Sequence, residues 1–383
     1  MPLNDNTTFF KLLRVALGME QQFDCKPDGD EWLRIFKTVQ QQSLIGVVFT
    51  VLDRLKPDQR PPAGLTLQWM SKAEFIRGTN HLMNTHSARL TTLLEAEGAH
   101  TAILKGQANA RLYPNPFSRQ PGDIDIYVSG GRDNVTQLLI RIGLLESVPK
   151  LSDIGNEDKA TSSYHHVHLP QNEDGVSVEV HFRPSSGNFN PITNRRLQKY
   201  LESEVLNSEM VPEGFRVPPV RFALMMQLAH IQRHYFEEGI GLRQICDYLV
   251  LLQHSSEEDR TEVNRLLVRC GLRKTCGALM SLMREVFGLD DRLMLSKPDE
   301  RRGKRMLQDV MEGGNFGRYA NPDRKNPWKR FSYSKRRKFS LLSFDFREIV
   351  WSEIHYWKSV IETAPERFRR GSLSLSEKPR RKR

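Results

Sequence analysis

The sequence predicts an α+β protein in which a small mixed β-sheet with helices, over about residues 98–185, lies between helical segments on both sides. Three observations carry this reading. Residues 102–128, AILKGQANARLYPNPFSRQPGDIDIYV, contain a short apolar run, Ala102-Ile103-Leu104, and a strictly alternating one, Asp123-Ile124-Asp125-Ile126-Tyr127-Val128. Residues 164–169 and 176–182 also read as strands, joined by Pro170-Gln171-Asn172-Glu173-Asp174-Gly175, a connector suited to a hairpin. On either side of this block, apolar residues recur at helical spacing.

Taken in order, residues 7–96 read as helices. Phe9, Phe10, Leu12, Leu13, Ala16 and Leu17 form one periodic set, Trp32, Leu33, Ile35, Phe36 and Val39 a second, and Leu44, Val47, Val48, Val51 and Leu52 a third. Pro57, Pro61 and Pro62 interrupt the pattern before a further helix that runs to about Glu97, where Gly98 reads as a C-cap. Residues 135–143 predict a helix and 149–163 a polar loop. The densest helical pattern spans 217–253: Phe222, Leu224, Met225, Leu228, Ala229 and Ile231, then Leu242, Ile245, Cys246, Leu249, Val250 and Leu252. Further helices follow near 263–267 and 279–287. Gly313-Gly314-Asn315-Phe316-Gly317 lacks the strand-to-helix context of a phosphate loop and reads as a turn. The expected segments are therefore a helical N-terminal part (1–97), the sheet core (98–185), a helical domain (186–300), a basic and aromatic helical segment (301–365) and a disordered basic tail (366–383).

Composition narrows the function classes. Apolar content of 38% and charged content of 27% are those of an ordinary soluble chain, and no run approaches the roughly 18–20 apolar residues that span a bilayer. The first residues lack a basic stretch followed by an apolar one, so a cytoplasmic location is expected. Cys25, Cys246, Cys270 and Cys276 show neither C-x-x-C nor zinc-type spacing and read as plain thiols. The net charge of +11 is concentrated: residues 318–338 carry nine Lys/Arg against one Asp, residues 366–383 eight against two Glu, and the rest of the chain sums to −3. The sheet core is thus no basic groove for long nucleic acid.

The chemistry sits in the alternating strand. Side chains on a strand point to opposite faces with period two, so Asp123 and Asp125 project together while Ile124, Ile126 and Val128 pack behind them. Two like charges in such proximity repel unless a cation holds them, and Mg²⁺ takes oxygen ligands of this kind. The plain alternative is an edge strand whose polar face meets water. Glu179 and His181 share one face of the 176–182 strand, which beside the acidic strand delivers a third carboxylate. His166 and His168 share a face of the preceding strand; they either join His181 in a cluster for zinc or its neighbours or are satisfied histidines of a polar sheet face. His230 and His234 stand one helical turn apart, but the segment lacks the Glu of H-E-x-x-H. Arg243 and Asp247, four apart, are expected to pair.

Leu104-Lys105-Gly106 followed by Arg119-Gln120-Pro121-Gly122-Asp123-Ile124-Asp125, and later Val178-Glu179-Val180-His181, resemble the DNA polymerase β-like nucleotidyltransferase superfamily. More narrowly they are similar to a group of uncharacterised bacterial nucleotidyltransferases, and the likeness extends loosely over residues 80–255. The resemblance implies a minimal nucleotidyltransferase fold in which Asp123, Asp125 and Glu179 hold Mg²⁺ or Mn²⁺ as metal-binding and catalytic residues. It implies nucleotide contacts from Lys105, Gly106, Arg119, Gly122 and Arg243, although Arg243 reads equally as half of a structural ion pair. The sequence departs from the usual Gly-Gly or Gly-Ser motif in having Gly106-Gln107. The implied reaction transfers a nucleoside monophosphate from an NTP to an acceptor hydroxyl or phosphate, with release of pyrophosphate. The alternative is a catalytically inactive nucleotide-binding or interaction module of the same fold. Phe346, Ile349, Val350, Ile354, Trp357 and Ile361 form one helical stripe ahead of the basic tail, a composition suited to an anionic membrane surface or to RNA. A glycan or lipid-linked acceptor would give that segment a purpose.

Overall fold

Helix α1 (Thr7–Ala16) buries the apolar face that its periodicity marks out. Helix α2 (Gly29–Gln41) starts where Asp28 accepts a hydrogen bond from the Glu31 backbone N–H at 2.7 Å, with Asp30 and Glu31 in the dipole-favoured first turn. Helix α3 (Ile45–Leu52) packs against α1 and against α4 (Ala63–Ala96). The chain is seen in a computed structural model that describes residues 6–149, 161–162, 164–170, 174–320 and 326–369.

The 34-residue α4 ties the molecule together. Its buried residues Leu65, Trp69, Ala73, Ile76, Asn80, Met83, Ser87, Leu90 and Leu94 recur three and four apart, so one stripe faces inward along its whole length. Leu65, Trp69 and Ile76 belong to a large helical core, whereas Met83, Leu90 and Leu94 belong to a second core under the sheet. Gly98, at a φ of +81°, turns the chain out of α4 into the sheet, a conformation glycine adopts without penalty.

The sheet has five strands in the order β1-β2-β5-β4-β3. Strands β1 (Thr101–Ile103) and β2 (Ile124–Val128) are antiparallel, with Ala102 opposite Tyr127; short helix α5 (Gln107–Ala110) lies in the connector between them. Helix α6 (Gly131–Arg141) follows β2. Strand β3 (Thr161–Ser162) pairs with β4 (His166–His168), which in turn pairs antiparallel with β5 (Val178–His181). Strand β5 runs parallel to β2. Residues 161–162, expected in a loop, thus form a short edge strand; residues 150–160, 163 and 171–173 lie outside the described ones.

The pleat splits the sheet as the alternation requires. Ile103, Ile124, Ile126, Val128, Val167, Val178 and Val180 face the second core with the end of α4 and α6. Ala102 and Tyr127 face the helical core, which also takes in Phe222, Leu224, Ile245 and Leu249. The remaining elements are α7 (Pro191–Glu204), a small hairpin of β6 (Glu209–Met210) and β7 (Arg216–Val217), α8 (Val220–Glu237), α9 (Leu242–Gln253), α10 (Glu257–Leu267), α11 (Arg273–Phe287), α12 (Glu300–Gly313) and α13 (Pro327–Arg369). The dense 217–253 pattern is two helices, parted where Gly239 takes a φ of +106°. Helix α13 breaks at Asp345 (φ −150°, ψ 93°), whose carboxylate accepts from Lys274 Nζ at 3.1 Å. Of its predicted stripe, Ile349 is buried, whereas Phe346, Ile354, Trp357 and Ile361 are exposed. Most of the basic tail, residues 370–383, lies outside the described residues. No described helix is long and apolar enough to cross a membrane.

Candidate functional site

The site is assembled by strand register. Parallel pairing of β2 and β5 sets Asp125 directly beside Glu179, and the period of two brings His181 onto the same face. Antiparallel pairing of β4 and β5 then sets His168 opposite Glu179 and His166 opposite His181. His181 Nε2 lies 3.0 Å from Asp125 Oδ1 and 3.4 Å from Glu179 Oε2. His168 Nδ1 is 3.4 Å and His166 Nδ1 3.7 Å from the Glu179 carboxylate. His166 Nε2 and His168 Nε2 are 2.9 Å apart, and His165 Nε2 lies 2.8 Å from His166 Nδ1.

Lys105 leaves the end of β1 and reaches across β2. Its Nζ is 2.8 Å from Asp125 Oδ2 and 3.9 Å from Asp123 Oδ1. Gly106 takes a φ of +65°, and a Cβ there would sit 3.4 Å from the Asp123 carbonyl oxygen, so the chain turns closely over the acidic segment. Asp123 precedes β2; its side chain is 34% exposed, against 1% for Asp125. Asp125, Glu179 and His181 each offer a ligand atom within 4.8 Å of the others. Asp123 stands beside this group, linked to it through Lys105 at 3.9 Å, so of the expected Asp123, Asp125 and Glu179 the compact cluster holds Asp125 and Glu179, joined by His181, with Asp123 at its open end.

Charge balance within the cluster is tight. Burial opposes a charge on Lys105, but Asp123, Asp125 and Glu179 outweigh it and hold the ammonium well above its ordinary range. The pull of Lys105 on Asp123 is outweighed by burial and by the repulsion of Asp125 and Glu179, which together raise the Asp123 carboxyl. Burial likewise opposes a charge on Glu179, yet the hydrogen bond from His181 and the charge of Lys105 keep it well below the usual range. His181, buried but bonded to Asp125 and Glu179, is pushed up to about 9. His166 is pulled down to about 3, chiefly by burial, and His165 falls further for the same reason.

Arg119 and Arg243 both lie at the connector that leads into β2. Arg119 enters from the β1–β2 connector and binds Asp247 of α9 through both carboxylate oxygens, Nε to Oδ1 at 2.7 Å and Nη2 to Oδ2 at 2.8 Å. Tyr113 donates a further bond to Asp247 Oδ1 at 2.8 Å. The expected Arg243–Asp247 ion pair is not made among the described residues; Asp247 is bound by Arg119 and Tyr113. Arg243 instead donates from Nη1 to the Gln120 carbonyl at 3.2 Å, and that nitrogen lies 3.7 Å from where a Gly122 Cβ would be. Its Nε has no hydrogen-bond partner among the described residues. Burial and the neighbouring Arg119 lower Arg243 to about 10. Asn80 of α4 secures the connector, donating from Nδ2 to the carbonyls of Phe117 at 2.9 Å and Arg119 at 2.8 Å.

Gln107 is turned inward, its Nε2 donating to Asn84 Oδ1 at 2.6 Å. The His230 and His234 rings meet at a tilt of 59° with centroids 4.2 Å apart; His234 meets Glu238 at 2.8 Å, and burial pulls His230 well below its ordinary value. His165 was not singled out by the sequence pattern. Its signal was adjacency to His166: it precedes β4, so strand alternation does not bind it to the far face.

A small mixed sheet that presents carboxylates from two adjacent parallel strands beside a lysine from the preceding turn defines a nucleotidyltransferase core. The model of a family described as uncharacterised nucleotidyltransferase matches residues 28–288, and the chain belongs to that family. Among solved structures the chain is similar to the crystal structure of an antigenic nucleotidyltransferase-like protein from Paracoccidioides brasiliensis, at 14% identity and a TM-score of 0.33, over 57% of this chain and 94% of that one. No curated protein matches.

Proposed function

We propose that the chain is an active enzyme of the DNA polymerase β-like type, transferring a nucleoside monophosphate from an NTP to an acceptor hydroxyl or phosphate with release of pyrophosphate. One observation supports this most: Asp125 and Glu179 are register partners on parallel strands, with Asp123 at the open end of the same group. The donor set of carboxylates fits Mg²⁺ or Mn²⁺, which Asp123, Asp125 and Glu179 would hold. Such an ion would neutralise charge on the triphosphate and favour in-line displacement at the α-phosphate. Lys105 and Arg243 flank Asp123 and Gly122 and offer cationic donors to phosphate oxygens. His181 orients the Asp125 and Glu179 carboxylates. Arg119 acts as a positioning residue that locks the connector to α9.

The rival reading, an inactive nucleotide-binding module, draws on two observations: Lys105 already neutralises the carboxylates internally, and Gln107 faces the interior. Purified protein incubated with each NTP, Mg²⁺ or Mn²⁺, and hydroxyl acceptors including glycans and lipid-linked glycans separates the two. Pyrophosphate release that vanishes in Asp125→Asn supports the enzyme. NTP binding without pyrophosphate release supports the module.

A further inference from the structure

The face of β4 and β5 carries more metal-binding chemistry than a hard cation uses. Besides Asp125 and Glu179 it presents His166, His168 and His181, with His165 at its edge. His166, His168 and Glu179 each offer a ligand atom within 4.8 Å of the others, a group that shares only Glu179 with the carboxylate set. Imidazole suits zinc, copper, iron and nickel, whereas Mg²⁺ takes oxygen.

The spacing leaves room for a shared ion. His168 Nδ1 lies 3.4 Å from Glu179 Oε1, and His166 Nδ1 lies 3.7 Å from Glu179 Oε2. The ligand-to-ligand edge of a tetrahedral zinc site is about 3.3 Å for bonds of about 2.0–2.1 Å, so both imidazoles stand at ligating range on the two oxygens of one carboxylate. The His168 side chain is 29% exposed, against 11% for His166 and Glu179, which gives an ion a way in. Three protein ligands leave a fourth position for water or a substrate oxygen.

We propose that His166, His168 and Glu179 form a site for zinc or a neighbouring first-row transition ion, adjoining the carboxylate site and bridged to it by Glu179. It extends the nucleotidyltransferase reading by adding a second, softer ion beside the same sheet face.

The test uses the full chain, stripped with a chelator, titrated with Co²⁺ and then competed with Zn²⁺. The expected result is one Co²⁺ per chain, beyond any in the carboxylate site, that gives the strong visible bands of a tetrahedral site, lost on adding Zn²⁺. His168→Gln and His166→Gln should each weaken Co²⁺ binding by more than the roughly 10–100-fold that loss of an outer-shell partner costs. Glu209→Gln, on the exposed hairpin strand β6, should leave it within about twofold, since that side chain belongs to neither ion site. Absent bands, or Co²⁺ binding unchanged in both histidine variants with unaltered circular dichroism, overturns the proposal. If only one variant folds, that variant decides. Pyrophosphate release with Mg²⁺ alone, measured on the zinc-free protein, is scored separately: Co²⁺ binding without release defeats only the enzymatic reading, and release without Co²⁺ binding defeats only this one.

Discussion

Replacing Arg119 with Met should destabilise the protein by about 3–5 kcal/mol, the cost of leaving one partner of a buried ion pair alone. Both side chains are almost fully enclosed, 6% exposed for Arg119 and 2% for Asp247, so little solvent is available to screen the orphaned carboxylate. Tyr113 can still donate one bond to Asp247 Oδ1, but Oδ2 loses its donor. Replacing both residues, as Arg119→Met with Asp247→Leu, should cost much less than Arg119→Met alone, because no buried charge remains. The assay is urea unfolding of wild type, both single variants and the double variant, with the coupling energy taken from the cycle. The pH dependence has a defined sign. Burial alone would raise the Asp247 carboxyl, but Arg119 holds it below its ordinary value of 3.8, so the stability this contributes is present above pH ~4 and is lost as pH falls through the lower folded value. A cost below about 1 kcal/mol for Arg119→Met, or additive single costs in the double variant, would refute the assignment of Arg119 to structure rather than to phosphate binding.

Asp123→Asn should leave stability at pH 7 unchanged or raised while divalent-ion binding by calorimetry falls: the Asp123 carboxyl is raised in the fold, so its ionisation there works against stability as pH climbs past 3.8. A clear loss of stability would contradict the crowding. Glu179→Gln should cut any pyrophosphate release by orders of magnitude, whereas Glu209→Gln on the exposed β6 should leave it alone; equal rates in the two variants would remove Glu179 from the site. Full-length protein should sediment with anionic vesicles, less as salt rises, and a form ending at Pro365 should not; the exposed Phe346, Ile354, Trp357 and Ile361 of α13 and the basic residues beyond it motivate this. Equal sedimentation of the two forms would leave the tail without a membrane role, and gel retardation of a short RNA by the full-length form alone would move the assignment to RNA.

Much of the sheet was legible because period-two alternation is a local rule. Asp125, Glu179, His166, His168 and His181 could be put on faces from spacing alone, and register then did the rest. The extent of α4 was legible for a similar reason, from the prolines before it and its stop at Gly98. The Arg119–Asp247 pair was not, since its partners are 128 residues apart and spacing rules see only neighbours on one helix, where Arg243 looked the natural partner. Strand β3 is two residues long and owes its state to β4, not to any pattern of its own. The inward turn of Gln107 depends on Asn84 of α4, again a distant partner. Local order was readable, whereas the pairings that shape the pocket come from tertiary contact.

The most direct test of the central claim is Mg²⁺- or Mn²⁺-dependent pyrophosphate release from NTPs by the wild type and by Asp125→Asn, each checked for native circular dichroism. The account predicts release by the wild type with at least one NTP and acceptor, dependent on the divalent ion, and none above background from Asp125→Asn. Equal release by the two proteins, or none by the wild type although it binds NTP and the divalent ion together, would contradict it.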